Sequence, residues 1–172
     1  MVTIEFTYVY DSKLLPIYKE MFESKFTGRN WRKHGTSLSD HFLELDLKRV
    51  LLERSIDTTK LPIMIIKYND VPVGLSFPKN TFDETEQELF LIHNHDGWFK
   101  IGSIVVLKEY HGKGIAFDAC TLFMSKYNKI VYQVDETNLP SIKLAERLEL
   151  AFSHSIKYNN INYKIYKSME TK

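Results

Sequence analysis

Two glycines separated by one residue lie where a β-branched run gives way to an apolar-periodic run, in the segment VVLKEYHGKGIAFDAC at 105–120. Gly112 and Gly114 carry no Cβ, so a ligand can approach the backbone closely. The helix expected to follow would present free N–H groups and the positive end of its dipole. This combination predicts an anion site best suited to phosphate, with His111 and Lys113 adding positive charge at its rim.

Two known phosphate-binding patterns fit this loop poorly. The nucleoside-triphosphate loop G-x-x-x-x-G-K-[ST] needs Ser or Thr after its lysine, and none follows Lys113. The dinucleotide pattern G-x-G-x-x-G needs a third glycine, which GKGIAF lacks. A plain strand-to-helix turn that uses glycines only for its geometry therefore stays open as the alternative.

Two segments at the expected separation resemble motifs of the GNAT superfamily of acyl-CoA N-acyltransferases. VLKEYHGKGIA at 106–116 resembles the pyrophosphate loop Q/R-x-x-G-x-G/A, with Glu109 in place of Gln or Arg. NLPSIKLAERLELAF at 138–152 resembles N-x-x-S-I-x-x-x-E-x-L-G-F, with Glu149 in place of Gly. The resemblance is clear over about 98–168, and before that it extends only to the order of elements.

The resemblance implies an α/β (α+β) protein of GNAT fold: a mixed, mostly antiparallel central sheet with a splayed parallel pair, flanked by helices, in a single domain over 1–172. It also implies acetyl-CoA as co-substrate. The pyrophosphate would lie on the glycine loop, and the peptide-like pantetheine arm would pair with an exposed strand edge. The implied cofactor-binding residues are Val105, Val106, Leu107, His111, Gly112, Lys113, Gly114, Ile115, Ala116, Asn138 and Ser141.

The catalytic groups that many family members share do not carry over. Ala145 stands where a helix tyrosine often serves as general acid, and the strand region offers Lys100, Gly102 and Ser103 rather than a carboxylate base. His93 is the candidate base and Tyr132 the candidate acid, with core packing as the alternative role of Tyr132.

The polar segment GRNWRKH at 28–34 lies in the region that lines the acceptor side in this family. Trp31 and Arg32 are the candidate acceptor-binding residues, and the basic charge favours an acceptor that bears a carboxylate. A solvated basic loop is the alternative. No metal site is predicted, because HNHDG at 93–97 offers two histidines without a convincing third ligand.

The elements that must position these residues follow from periodicity. Strands are predicted over 2–10, 62–68, 73–77, 88–95, 98–107 and 129–134, with a closing hairpin at 152–158 and 163–168. Helices are predicted over about 12–26, 38–54, 114–127 and 139–150. The helix over 38–54 is expected to begin with a Ser37–Asp40 capping pair and to bury Leu38, Phe42, Leu45 and Leu52. The strands at 88–95 and 98–107 are expected to form a hairpin, and those at 98–107 and 129–134 a parallel pair.

Composition excludes several classes of function. The 172 residues are 44% hydrophobic and 26% charged, and the formal net charge of +1 gives no reason to expect nucleic acid or a membrane as partner. One cysteine, Cys120, is compatible with a cytoplasmic location, and MVTIEFTYVYD does not resemble the apolar region of a signal peptide. The chain is expected to be a monomer or a homodimer.

The sequence thus predicts an acetyl-CoA-dependent N-acetyltransferase acting on a primary amine of a small molecule or of a peptide or protein. Two alternatives stay open: a non-catalytic acyl-CoA-binding regulator, and a protein-interaction module with a decayed cofactor site.

Overall fold

The computed structural model describes residues 1–24, 39–57, 60–93 and 97–169. The acceptor-loop prediction, with Trp31 and Arg32, lies outside the described residues, as do Ser37, Leu38 and His95.

The first half of the chain builds a four-stranded antiparallel sheet. Its strands are β1 (Val2–Thr7), β2 (Ile63–Tyr68), β3 (Val71–Ser76) and β5 (Ile104–Val106), in the order β1-β2-β3-β5. Asn69 and Asp70 join β2 to β3 with φ of 50° and 66°. Positive φ at both central positions is the geometry of a two-residue hairpin turn, so the predicted turn is confirmed.

A second four-stranded sheet holds the parallel pair. Its strands are β4 (Trp98–Lys100), β6 (Lys129–Asp135), β7 (Ala151–Tyr158) and β8 (Ile161–Lys167), in the order β4-β6-β8-β7. Strands β4 and β6 run parallel, and the other neighbours are antiparallel. The mixed architecture with one parallel pair is therefore confirmed.

The described residues contain five α-helices and two short 3-10 turns. The helices are α1 (Leu15–Glu23), α2 (Asp40–Ile56), α3 (Glu84–Phe90), α4 (Ile115–Lys126) and α5 (Leu139–Arg147). The 3-10 turns cover Ser12–Leu14 and Lys108–Tyr110.

Helices cover both faces of the first sheet, which explains why the first four residues of β2 are all apolar and buried. Ile63 and Ile65 pack into a core with α1 and α2, whereas Met64 and Ile66 pack into a core with α4 and α5. Successive strand residues point to opposite faces, so a strand covered on both sides needs apolar residues at every position.

The predicted single strand over 98–107 is wrong, because the strand ends after Lys100 and the polypeptide crosses to the other sheet. Lys100 pairs with Lys79 on one side, with N···O distances of 2.7 and 3.0 Å, and with β6 on the other. Gly102 then passes so close to Phe77 that a Cβ there would lie 1.8 Å from the Phe77 carbonyl oxygen. The break lets β5 pair with β3 instead of β6.

The predicted strand at 88–95, and with it the hairpin, is also wrong. The first three residues of this segment end α3, whose first turn is fixed by a capping box between Asp83 and Glu86. Leu91 ends the helix in the left-handed conformation, with φ of 52°. The local capping signal outweighed the apolar run LFLI that suggested a strand.

The prediction for α2 gives the helix but the wrong face. Leu45 and Leu52 are 54% and 59% exposed, Phe42 is half-buried, and the buried leucines are Leu43, Leu47 and Leu51. The cap is Ser39, whose Oγ accepts the Phe42 N–H at 3.2 Å.

A buried carboxylate explains why α2 turns a different face to the core from the one predicted. Asp46 accepts hydrogen bonds from the Tyr18 hydroxyl of α1 and from the Arg49 guanidinium at 2.7 Å. Because the paired Asp46 faces inward, the leucines beside it on the helix surface face inward too.

We expect Gly102→Ala to destabilise the fold by about 2 to 3 kcal/mol, because the added methyl group meets backbone that cannot rotate away. Urea unfolding measures the loss. Ser103→Ala at the adjacent exposed position is the matched control and should change stability by less than about 0.5 kcal/mol. Equal stability of the two variants would show that the chain break does not depend on the glycine.

Candidate functional site

The glycine loop presents a row of backbone donors. Gly112 and Gly114 adopt φ of 78° and 72°, a left-handed conformation that strains any residue with a Cβ. Gly114 is the N-cap of α4 and offers no side chain to its first turn. The N–H groups of Ile115, Ala116 and Phe117 therefore meet no acceptor among the described residues, and they sit at the positive end of the α4 dipole.

The two cations predicted at the loop rim serve other contacts. The His111 Nε2 lies 2.7 Å from the Val106 carbonyl oxygen, and since a carbonyl only accepts, the ring donates and ties the loop to β5. The Lys113 ammonium lies 5.5 and 5.4 Å from the ring centroids of Tyr68 and Tyr110. Backbone amides rather than side-chain charges thus dominate the loop.

The free edge of β5 differs by one residue from the prediction of Val105, Val106 and Leu107. Leu107 donates its N–H to the Val73 carbonyl of β3 at 2.8 Å, so this amide is already used. In an antiparallel pair the direction of these groups alternates, which turns the backbone groups of Ile104 and Val106 toward the gap beside β6. Ile104 replaces Leu107 at the edge, and Val105 contributes to the wall.

Helix α5 forms the opposite wall and begins at Asn138. The Asn138 side-chain oxygen caps the helix by accepting the Ser141 N–H at 3.3 Å, which leaves the side-chain NH₂ as a donor. Lys143 and Arg147 follow one turn apart and are exposed, with the Arg147 guanidinium 4.4 Å from the Phe117 ring centroid.

These parts enclose a cleft of about 850 Å³. It is lined by Glu20, Glu23, Ser24, Ile104, Val105, Val106, Lys108, Tyr110, His111, Gly112, Gly114, Ile115, Ala116, Phe117, Asn138, Pro140, Ser141, Lys143, Leu144 and Arg147. The structure thus brings together nine of the eleven residues predicted for cofactor binding, and Leu107 and Lys113 are not in the lining.

A smaller polar cavity of about 220 Å³ adjoins the cleft at three shared residues, Ile104, Asn138 and Ser141. This cavity is the space between β5 and the end of β6 that the interruption of the strand leaves open. Tyr132 and Gln133 are among the residues that line it. A ligand threaded along the cleft would place its end at this junction.

Tyr132 lies where the two cavities meet. Its side chain is 3% exposed, and its hydroxyl makes a short hydrogen bond with the Ser141 hydroxyl. Burial raises the pKa of the Tyr132 phenol to about 12, so the group stays protonated at neutral pH. The Tyr132 ring therefore packs in the core, while its hydroxyl lies at the junction of the two cavities.

Three further predictions fare differently. His93 follows α3 rather than lying on a hairpin strand, and it is exposed and outside the lining of both cavities, so the reason for choosing it as a base is wrong. Ala145 is fully buried. Among the described residues no group of three or more His, Cys, Asp or Glu side chains could hold a metal ion.

Sequence reasoning noted Lys100 only as a departure from the family and missed its position in the smaller cavity. Its Nζ donates to the Gln133 side-chain oxygen at 2.9 Å, and burial lowers the pKa of the Lys100 ammonium to about 8. The signal in the sequence is a lone lysine within the apolar segment WFKIGSIVV.

Within the described part of the chain, no helix combines the length and the apolar character that crossing a membrane requires. The single cysteine, Cys120, lies on the buried face of α4, and burial raises the pKa of its thiol to about 12.

Comparison with solved structures shows the fold. An acetyltransferase from Salmonella typhimurium that modifies the N-terminal serine of ribosomal protein L7/L12 superposes with a TM-score of 0.67 at 13% identity, covering 99% of this chain and 95% of that one. An N-acetyltransferase from Staphylococcus aureus Mu50 gives 0.63 at 15% identity, with 97% of each chain covered. The microcin C7 self-immunity acetyltransferase MccE, in complex with acetyl-CoA and AMP, gives 0.65 at 17%, covering 98% and 92%.

A search of curated proteins finds no match to the chain. The family model described as acetyltransferase (GNAT) family matches residues 18–150, which is most of the sequence. The family membership suggested by the two motifs is confirmed, and so is the fold: this chain belongs to the acetyltransferase (GNAT) family.

Proposed function

We propose that this protein is an acetyl-CoA-dependent N-acetyltransferase that transfers an acetyl group to a primary amine. The observation that carries the proposal is the row of uncapped amides at the start of α4, which faces a cleft that continues into a second, polar cavity. A two-substrate transfer needs this arrangement: an anchored donor in one space, the acceptor in the other, and a junction where they meet.

The cleft suits coenzyme A in charge and length. The N–H groups of Gly112 to Ala116 would bind the diphosphate, with the α4 dipole adding to the attraction. Lys143 and Arg147 supply cations on α5 for a further phosphate. The Val106 N–H, the Ile104 backbone groups and the Asn138 amide would pair with the amides of the pantetheine arm.

The donor supplies an activated thioester, and the chain must stabilise the charges that form when an amine attacks it. The backbone N–H groups of β5 that face the gap are placed to donate to the developing oxyanion. The Tyr132 hydroxyl, which is held by Ser141 and lines the smaller cavity, would donate to the departing thiolate. Since its pKa of about 12 lies above that of an ordinary thiol, the phenol acts by hydrogen bonding and keeps its proton.

A second candidate is an acyl-CoA-binding protein that performs no transfer. The buried Ala145 favours it, because no hydroxyl arises from that helix position. The phenol of Tyr132 favours transfer, because it brings a proton donor to the same region from β6.

Binding of coenzyme A should stabilise the protein. A ligand at 100 times its Kd adds about 2.7 kcal/mol, which for a chain of this size raises Tm by about 5 to 10 °C. Gly112→Glu should abolish this shift, since a carboxylate about 5 Å from a phosphate repels it by about 3 kcal/mol, or about 100-fold in affinity.

The matched control for that variant is Gly97→Glu. Gly97 has a similar φ of 79° but lies outside the cleft, so its variant carries the same backbone strain without the repulsion. Unchanged coenzyme A affinity in Gly112→Glu, or equal loss in both variants, would reject the proposed diphosphate site.

Tyr132→Phe should lower kcat for acetyl transfer by about 10- to 100-fold, the value of a hydrogen bond to a charged group, and leave the coenzyme A affinity within about threefold. Since the pKa of Tyr132 is raised to about 12, the donor stays protonated, and the loss should be constant over about pH 6.5 to 9.5.

Free-thiol release against a panel of amines measures this loss. Tyr166→Phe, at the paired position of β8, removes the same atom from another buried tyrosine and should leave kcat unchanged. An equal loss in both variants would assign the effect to packing, and release of no thiol by the wild type with any amine would favour the non-transferring candidate.

Cys120 should not react in that assay. With its pKa raised to about 12, only about one thiol in 10⁴ is ionised at pH 8, and the side chain is fully buried. Folded protein treated with a thiol-reactive disulfide should therefore release no colour, whereas urea-unfolded protein should release one equivalent. Rapid labelling of the folded protein would contradict the placement of Cys120 in the core.

A further inference from the structure

The smaller cavity contains a cation that lacks an anionic partner. Lys100 is partly buried on β4, and its ammonium donates to the neutral side-chain oxygen of Gln133 and lies 5.3 Å from the Phe90 ring centroid. Among the described residues, no Asp or Glu oxygen is paired with this ammonium. An ammonium can donate three hydrogen bonds, and only the bond to Gln133 is filled by a described side chain.

The nearby carboxylates are engaged elsewhere. Glu86 is paired with Lys79, whose Nζ lies 2.6 Å from its Oε1. The Asp135 Oδ1 accepts both the N–H and the hydroxyl of Thr137, at 2.8 and 2.6 Å, and fixes the turn before α5. Asp135 also lines the cavity, with its Oδ1 held by Thr137, and the remaining polar side chains of the lining are hydroxyls and amides. Lys100 is therefore the one cation among the described residues that line the cavity, and it is the group to which an anion would bind.

A partly buried cation with unfilled donors costs free energy unless a ligand supplies the missing charge. The Lys100 ammonium, with the Gln133 amide and the hydroxyls of the lining, matches a carboxylate, which takes one positive charge and several hydrogen bonds. A doubly charged phosphate would remain half compensated. The cavity of about 220 Å³ limits the bound part to a small group.

We propose that Lys100 selects an acceptor amine that carries a carboxylate within a short reach of its amino group. Free amino acids and peptides with an acidic first residue share this chemistry. The carboxylate binds Lys100 and the amide of Gln133, and this contact directs the amino group toward the junction at Ile104, Asn138 and Ser141. The inference rests on the proposed function and names its class of acceptor.

Paired acceptors test the inference directly. Glycine, β-alanine and γ-aminobutyrate are each compared with their carboxamides, and a peptide beginning with Glu is compared with one beginning with Gln. The wild type should prefer the carboxylate member of at least one pair by about tenfold or more in kcat/KM, the range of a hydrogen bond to a charged group. The carboxamides have the more easily deprotonated amines, so intrinsic reactivity opposes this preference.

Two variants of Lys100 separate recognition from other roles. Lys100→Met keeps the length and removes the charge, and it should raise KM for the carboxylate acceptors about tenfold or more while leaving the carboxamides within about threefold. Lys100→Arg keeps the charge and should retain the preference. Lys126→Met, which removes an exposed lysine that lies over the rings of Phe6 and Tyr127, is the control and should change neither KM.

Each contrary result has a distinct meaning. Equal use of both members of every pair overturns the inference and leaves the transferase intact. Loss of kcat for both members in Lys100→Met and Lys100→Arg alike overturns it in favour of proton transfer by the lysine. Acetylation of no carboxylate-bearing amine by a protein that coenzyme A still stabilises also overturns it. Failure of the proposed function is seen separately, as the absence of any stabilisation by coenzyme A.

Discussion

The candidate site depends on one steric constraint, the close passage of Gly102 under the Phe77 carbonyl. A Cβ at this position would lie 1.8 Å from that oxygen, so only glycine lets the chain leave β6 after Lys100 and join β3 at Ile104. The segment 98–106 contributes a strand to each sheet, and the two sheets separate where this segment stops pairing with β6 and begins to pair with β3. Both cavities lie at that separation, because the edge of β5 left free by β3 faces the end of β6 across the gap. A continuous strand would fill this gap with its own hydrogen bonds.

Backbone N–H groups without an intrahelical acceptor then make this gap suited to binding an anion. In the first turn of α4, three N–H groups meet no acceptor within the described part of the chain because the N-cap is a glycine, and Gly112 and Gly114 adopt the left-handed conformation just before them. His111, which the sequence suggests as a charged contact, instead fixes this loop by donating to Val106. Rigid amides cost little to reorganise around a diphosphate, whereas mobile side chains would lose rotamer freedom on binding. The site is therefore organised before any ligand arrives.

The features that could be predicted from sequence are those with local causes. The glycine loop, α4, the β2–β3 turn and the closing hairpin follow from residues within a few positions of one another. The wrong predictions have distant causes. The inward face of α2 depends on Asp46 meeting Tyr18 of another helix, and the break at Gly102 depends on Phe77, the residue that follows β3. The position of Lys100 in the smaller cavity is likewise set by the pairing of β4 with β6, which brings its ammonium to Gln133. The periodicity of apolar residues indicates which side of a helix or strand is buried, but it does not predict contacts between residues that are distant in the sequence.

The position of Tyr132 also depends on packing between distant parts of the chain. Ala145 and Tyr132 belong to the same buried core, one on α5 and the other on β6. The ring of Tyr132 occupies the interior, and its hydroxyl reaches Ser141 in the first turn of α5, beside the junction of the two cavities. The backbone of Tyr132 is held by the pairing of β6 with β8, where it lies opposite Tyr166. The position of the proposed proton donor is thus set by strand register, and a motif restricted to the helix cannot reveal it.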